Sequence, residues 1–344
     1  VRRLLNTLFV TTQGAYLSKE GETVVVSVDH EVRLRLPVLT LSGIVCFGNV
    51  SCSPFLLGFC GEKGVGVSFL TEHGHFLARV TGPISGNVLL RREQYHRTDS
   101  DGGAVPVAAA IVTAKVANAR TVLRRALRDH GELAGAEAIT MAIARLDRLL
   151  DDVRRPGVHL EALRGFEGEA AAAYFGVFDH LVVAQKEAFA FRARTRRPPM
   201  DPINALLSFL YTLLVHDATG ALEAVGLDPQ VGFLHALRPG RPSLALDLIE
   251  DVRPVIADRL ALSLINLRQV DGQGFRTTET GGVEMSDDTR KALLVAYQKR
   301  KQEEITHPFL GEAIPVGQIL HAQALLLARH LRGDLDAYPP FVWK

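Results

Sequence analysis

The hydrophobic pattern changes period once along this chain, and that change constrains the fold more than any other feature. Up to about residue 80 the apolar residues come in short β-branched runs. These are "TLFVTT" (7–12), "ETVVVSVD" (22–29), "EVRLRLPV" (31–38) and "GIVCFG" (43–48), separated by Gly, Asp and Pro. "EVRLRLPV" alternates polar with apolar, as a half-buried strand does. "PFLLGFCGEKG" (54–64) reads as a short helix ended by glycine, and residues 64–80 as a hairpin. From about 107 the period is helical: Ile139, Ile143, Leu146, Leu150 and Val153 recur at spacings of four and three. A chain with both periods, segregated in order, is expected to be α+β. The reading is a β-rich, β-sandwich-like N-terminal domain over 1–80 and a linker over 81–105 that includes "RTDSDGG". A larger all-α domain follows over 106–344.

Within the second part, 156–183 reads as alanine-rich helical segments and "RARTRRPPMDP" (192–202) as a basic, proline-broken loop. "NALLSFLYTLLV" (204–215) has the length of a buried core helix, short of the ~20 residues of a membrane span. "RTTETGGVEMSDD" (276–288) reads as a polar loop. Ser286 is placed to N-cap the next helix, with Asp287 and Asp288 at its positive end. A last helix is expected over 315–333.

With 47% hydrophobic and 22% charged residues the chain has the balance of a globular protein, not a disordered one. Arg2 and Arg3 are not followed by a signal-type apolar run, so the expected location is the cytoplasm. Cys46, Cys52 and Cys60 lack CxxC spacing and lie in apolar segments, as buried free thiols do. The net charge of +1 argues neither for nor against nucleic acid, so local clustering has to decide.

Two constellations carry possible chemistry. "GFLHALRPGRPSLALDLIED" (232–251) holds His235, then Asp247 and Glu250 at i and i+3 on one helix face beside much hydrocarbon. Like charges one turn apart repel, and a cation between them would relieve that. Glu167, just before the small-residue run Ala170–Ala173, adds a third carboxylate. One imidazole and several carboxylates suit Mg²⁺ or Mn²⁺. The plainer readings are a helix-start glutamate, a surface histidine and a solvated carboxylate pair. Arg253, three residues past Glu250, is either a partner for phosphate charge or a salt bridge to Glu250.

The second constellation is basic. Arg120, Arg124 and Arg128 form an i, i+4, i+8 stripe flanked by Lys115 and Arg125; Arg192, Arg194, Arg196 and Arg197 lie in the loop, and "YQKRKQ" at 297–302. Such groups can follow a phosphate backbone, or pair with nearby acids on a solvated face. No GxxxxGK[ST] or GxSxG occurs, and "GEKGVG" (61–66) reads as a turn.

Taken in order, several long blocks resemble one family. They are "LLNTLFVTTQGAYLSKEGETVVV", "AKVANAR", "GFEGEAAAAYF", "DPINALLSFLYTLL", "GFLHALRPGRPSLALDLIEDVRP" and "AYQKRKQEEITHPFL". They are similar to the first CRISPR-associated protein, the endonuclease/integrase of spacer acquisition, most like that of a type I system of the C subtype. The resemblance implies Mg²⁺ or Mn²⁺ held by Glu167, His235 and Glu250, with Asp247 as the neighbouring carboxylate; many relatives carry aspartate in place of Glu250, which leaves open whether Asp247 or Glu250 binds directly. It implies a basic Arg253 and a supporting Asn204. It also implies a homodimer formed through the β domain, a partnership with the small ferredoxin-like second CRISPR-associated protein, and double-stranded DNA (prespacer and CRISPR repeat) as substrate. The activity it implies is cleavage and 3′-hydroxyl transesterification of DNA. Rival readings are a non-catalytic DNA-binding scaffold and a hydrolase of small phosphates.

Overall fold

The computed structural model describes residues 6–72, 76–80, 82, 88–129 and 134–343. Arg2 and Arg3, and the tip of the hairpin expected over 64–80, lie outside the described residues. The chain divides into two compact units: Val1–Gly86 with Lys301–Glu303 and Pro315–Gln318, and Asn87–Arg300 with Glu304–Ile314 and Ile319–Lys344.

The first unit is strand-rich. Its strands are β1 (Asn6–Val10), β2 (Tyr16–Glu20), β3 (Thr23–Val28), β4 (Glu31–Pro37), β5 (Leu41–Phe47), β6 (Ser51–Cys52), β7 (Gly66–Leu70) and β8 (Phe76–Val80). They form two four-stranded sheets, ordered β1-β5-β7-β8 and β4-β3-β2-β6. Both contribute to one core: Leu17, Val24 and Val26 from the second sheet pack with Ile44, Cys46 and Val67 from the first, and with Leu56 and Cys60 of helix α1 (Pro54–Glu62). The three cysteines are free. The alternating strand 31–38 is an edge strand, and Val32 and Leu34 are exposed rather than half-buried. Alternation correctly marks a strand, but of its apolar side chains Val32 and Leu34 stay in solvent while Leu36 packs against the core.

The second unit is helical: α2 (Val88–Thr98), α3 (Asp101–Asp129), α4 (Ala136–Val153), α5 (Leu160–Gly176), α6 (Pro202–Val225), α7 (Ser243–Glu250), α8 (Arg259–Asn266), α9 (Asp287–Gln302) and α10 (Ile319–Leu331). The stretch 81–105, read as a linker, contains α2 and the first turn of α3; residues 81 and 83–87 of it are outside the described residues. Gly102 and Gly103 sit inside the start of α3, where Gly103 has the backbone of Arg97 so close that a Cβ would meet it at 2.4 Å. Glycine here serves close approach, not a loop. The polar stretch 276–288 is a two-stranded hairpin, Phe275–Thr277 against Val283–Met285, and Arg276 and Glu284 pair across it at 3.0 Å. Ser286 does cap α9, accepting from the Thr289 amide at 3.2 Å.

Helices α3 and α6 are long and apolar enough to cross a membrane by length and composition, yet most of each apolar window is buried inside the protein (61% and 56%), as in core helices. Helix α7 is buried on every side, with Leu244, Ala245, Leu248 and Ile249 all at most 1% exposed. Its α-helical ladder stops at Glu250. Pro254 has no N–H to give the Glu250 carbonyl, and residues Pro254–Asp258 wind as a π-helical turn. Asn118 of α3 ties this region to the chain end. Its amide donates to the carbonyls of Asp251 and Phe341, and its oxygen accepts from the Trp343 amide at 2.7 Å. Removing all three bonds at a buried position with Asn118→Ala is expected to cost roughly 2–4 kcal/mol, read as a lowered urea midpoint at unchanged m-value.

Candidate active site

The far-separated residues converge. Lys115 projects from α3, Glu167 from α5 and Glu250 from the last turn of α7. The Lys115 ammonium sits between the two carboxylates, in contact with Glu167 Oε1 and 2.7 Å from Glu250 Oε2. Ala170 of α5 is buried and lines one cleft together with Ala119 and Lys115 of α3. Glu167 lies in the interior of α5, which starts at Leu160 under a His159 cap, rather than just ahead of a helix. Lys115, expected on a DNA-facing stripe, is 9% exposed and committed to the acids.

Asp247 and Glu250 share a helix face but do different work. Asp247 accepts from the backbone amides of Phe233 (2.6 Å), Leu234 (3.0 Å) and His235 (2.9 Å), and bonds His235 Nδ1 at 2.6 Å. Four donors saturate a carboxylate. The loop can wrap this carboxylate only because residue 232 is glycine: a Cβ there would meet Asp247 Oδ2 and Ser243 at 2.7 Å. A carboxylate can only accept, so His235 carries its proton on Nδ1, and the Nε2 lone pair faces Glu250 Oε1 at 3.8 Å. Glu250, not Asp247, therefore presents oxygens to the space shared with His235 and Glu167.

Glu250 is 1% exposed. Burial raises its pKa, but the guanidinium of Arg253, 2.8 Å from Oε1, and the ammonium of Lys115 outweigh burial and lower it from an ordinary 4.5 to about 2. The sign follows: a depressed carboxyl stabilises the fold fully above pH 4.5 and loses that contribution as the pH falls toward 2. Glu250→Gln is expected to unfold with a shallower acid dependence than the parent below pH 4.5, measured by circular dichroism along an acid titration.

Beside the acids opens a small cleft lined by Lys115, Arg194, Arg196, Tyr211 and Arg253 among others. Arg253 and Arg194 both lie over the Tyr211 ring, at 4.6 and 5.2 Å from its centroid. Tyr211 donates at 2.6 Å to the buried Asp258, whose carboxyl burial pushes up to about 6. Neither Tyr211 nor Asp258 stands out in the sequence. A lone tyrosine in "NALLSFLYTLLV" and a lone aspartate in "PVIADRL" are the available signals, because buried polar groups in apolar runs need partners. Asn204 is buried and holds the basic loop: it bonds Arg194 Nη1 (2.7 Å), the Thr195 amide (3.0 Å) and the Ala193 carbonyl (2.8 Å).

The arginines of the α3 stripe are paired with acids. Arg120 and Arg124 of α3 both pair with Asp147 of α4, Arg124 at 2.9 Å, and Arg128 pairs with its neighbour Asp129. The guanidinium stripe seen in the sequence thus clamps two helices at its first two positions. In "YQKRKQ", Tyr297 is buried and donates to Asp217. Arg192, Arg196 and Arg197 are exposed.

Two acids share one ammonium, with an imidazole 3.8 Å from the buried acid and a guanidinium-lined cleft beside them, in a helical domain that follows a strand-rich one. The chain belongs to the Cas1 family: residues 8–299 match the family described as CRISPR associated protein Cas1. It is 55% identical, over the full length of both chains, to the CRISPR-associated endonuclease Cas1 1 of Chlorobaculum tepidum. In fold it is similar to a casposase bound to integration product (TM-score 0.82, 22% identity, covering 98% of this chain and 94% of that one). It is also similar to the chain of a Cas6-RT-Cas1–Cas2 complex (TM-score 0.82, 22% identity, 100% of this chain and 36% of that one). At this identity the two solved structures speak for the fold, an N-terminal strand-rich region followed by a helical domain.

Proposed function

We propose that this protein is a metal-dependent DNA endonuclease and integrase that inserts spacer DNA into a CRISPR array by attack of a 3′-hydroxyl on a phosphodiester. The observation that carries the reading is one connected cluster at the edge of a cationic cleft: Glu167 and Glu250 share the Lys115 ammonium, and His235 Nε2 lies 3.8 Å from Glu250 Oε1. The donor set fits a divalent ion. Two carboxylates already hold a cation, the ammonium of Lys115, and Glu250 Oε2 has no hydrogen bond of good geometry. Among the described residues no three His, Cys, Asp or Glu side chains are already closed to ligand distance around one point; Lys115 stands between two of them. When bound there, Mg²⁺ or Mn²⁺ would supply Lewis-acid polarisation of the target phosphodiester.

The chain's own residues do the rest. Glu167, His235 and Glu250 hold the ion. Asp247 orients His235 and keeps its proton on Nδ1. Arg253 sets a guanidinium between Glu250 and the cleft, placed to balance charge on a transferring phosphate. The exposed Arg192, Arg196 and Arg197 meet the duplex. The substrate reading draws on the endonuclease relative and on the casposase bound to integration product, and the partnership with Cas2 on the Cas1–Cas2 assembly. Exposed Val32 and Leu34 on edge strand β4 favour a homodimer through the β-rich unit.

The test is an integration assay with a prespacer duplex, a CRISPR-repeat target, the second CRISPR-associated protein and Mg²⁺ or Mn²⁺. Strand-transfer product that disappears with EDTA is expected; no product under any of these ions sinks the reading. One observation favours a second reading, a DNA-binding scaffold: Lys115 and Arg253 neutralise Glu250 without any ion. A scaffold would nick no branched DNA.

Salt dependence separates the basic groups. Joint replacement of Arg192, Arg196 and Arg197 by alanine is expected to flatten the slope of log affinity against log salt, by about 0.9 for each phosphate that is no longer neutralised. Arg120→Ala with Arg124→Ala should leave that slope unchanged, since both already answer Asp147.

A further inference from the structure

We infer that Lys115 is a resident counter-ion which an incoming divalent cation must displace, so that metal loading and anion binding in the adjacent cleft are coupled through one side chain. The inference rests on the metal reading above and concerns what that reading leaves unassigned.

Glu250 is fully buried and Glu167 partly so, and two carboxylates that share a space need a cation there. Two candidates surround Glu250, and they differ in freedom. Arg253 is fixed: its guanidinium is paired with Glu250 Oε1 and stacked on the Tyr211 ring. Lys115 is a compact charge on a flexible four-carbon stem. It touches both carboxylates at once, and its 2.7 Å approach to Glu250 Oε2 lacks hydrogen-bond geometry. A hydrogen bond ties it to Glu167 Oε1, and charge alone draws it to Glu250 Oε2. A divalent ion bound by Glu167 and Glu250 would occupy the same position, and two cations cannot share it.

The displaced ammonium has somewhere to go. Lys115 also lines the open cleft that Arg194, Arg196 and Arg253 face. Turning into it, the ammonium would leave a neutralised pair and add a positive charge where an anionic ligand sits. Ion and phosphate would then each favour the other's binding, as linkage requires. Lys115 is thus a positioning residue, acting through the ion and the cleft.

The experiment is calorimetric titration of Mn²⁺ into the full chain and into Lys115→Met. The variant is expected to bind the ion roughly tenfold more tightly or better, since no resident charge competes. In EDTA it should melt below the parent, and Mn²⁺ should raise its melting temperature by more than the parent's. Parent protein that takes up no Mn²⁺ would sink the metal reading itself. Parent and variant binding with equal affinity would overturn the role of Lys115 alone. A second measurement needs no variant. Acetylation by an amine-reactive reagent, mapped by mass spectrometry on the unaltered protein, should rise severalfold at Lys115 when Mn²⁺ is added. Unchanged labelling with Mn²⁺ bound would also overturn the inference.

Discussion

Glu167→Gln and His235→Ala are each expected to lower DNA cleavage and strand transfer roughly a thousandfold or more, about 4 kcal/mol of transition-state stabilisation. Both should leave duplex affinity within a few-fold of the parent. On the function proposed above, each removes a side chain assigned to hold the ion without dismantling what surrounds it. Glutamine keeps the shape of Glu167 and can still accept from Lys115, yet it takes away half the negative charge of the carboxylate pair. Alanine at 235 removes the Nε2 lone pair, but the three backbone amides of 233–235 stay on Asp247. The check is single-turnover kinetics at saturating Mn²⁺ beside a binding isotherm for the same duplex. A variant that kept the parental rate would strip that residue of its role.

Asp247→Asn should be worse for the fold than for any single contact. An amide nitrogen in place of one carboxylate oxygen turns acceptor into donor, and the two buried N–H groups that shared that oxygen would then face another N–H. Each unsatisfied buried group costs about 1–3 kcal/mol, so a loss of roughly 2–6 kcal/mol is expected, read from urea unfolding. The histidine also loses its orienting partner, which for ligating imidazoles typically costs about 10–100-fold in metal affinity or activity. An unchanged urea midpoint would show that the loop amides find other acceptors and that Asp247 is not the post on which the loop hangs.

Much of the architecture is legible in the residues. The β-branched runs and the single switch of period announce two regimes, and Ser286 with its acidic followers announces a capped helix, because these are local signals that neighbours in sequence settle. Errors fall where the deciding partner is distant. "RTDSDGG" looks like a linker until Gly103 is seen against Arg97, and the polar stretch 276–288 looks like a loop until Arg276 finds Glu284. The stripe Arg120–Arg124–Arg128 has helical spacing whether it faces DNA or Asp147.

By itself the sequence determined the division into strand-rich and helical parts, the family to which the chain belongs, and the residue types able to share one cation. Those follow from periodicity and from long blocks in order. Only the tertiary structure decided that Asp247 is consumed by four donors while Glu250 stays open, and that Lys115 belongs with the acids and not with the arginines. The reason is that a side chain's chemistry depends on which of its polar atoms are already satisfied, and that accounting is kept among helices far apart along the chain.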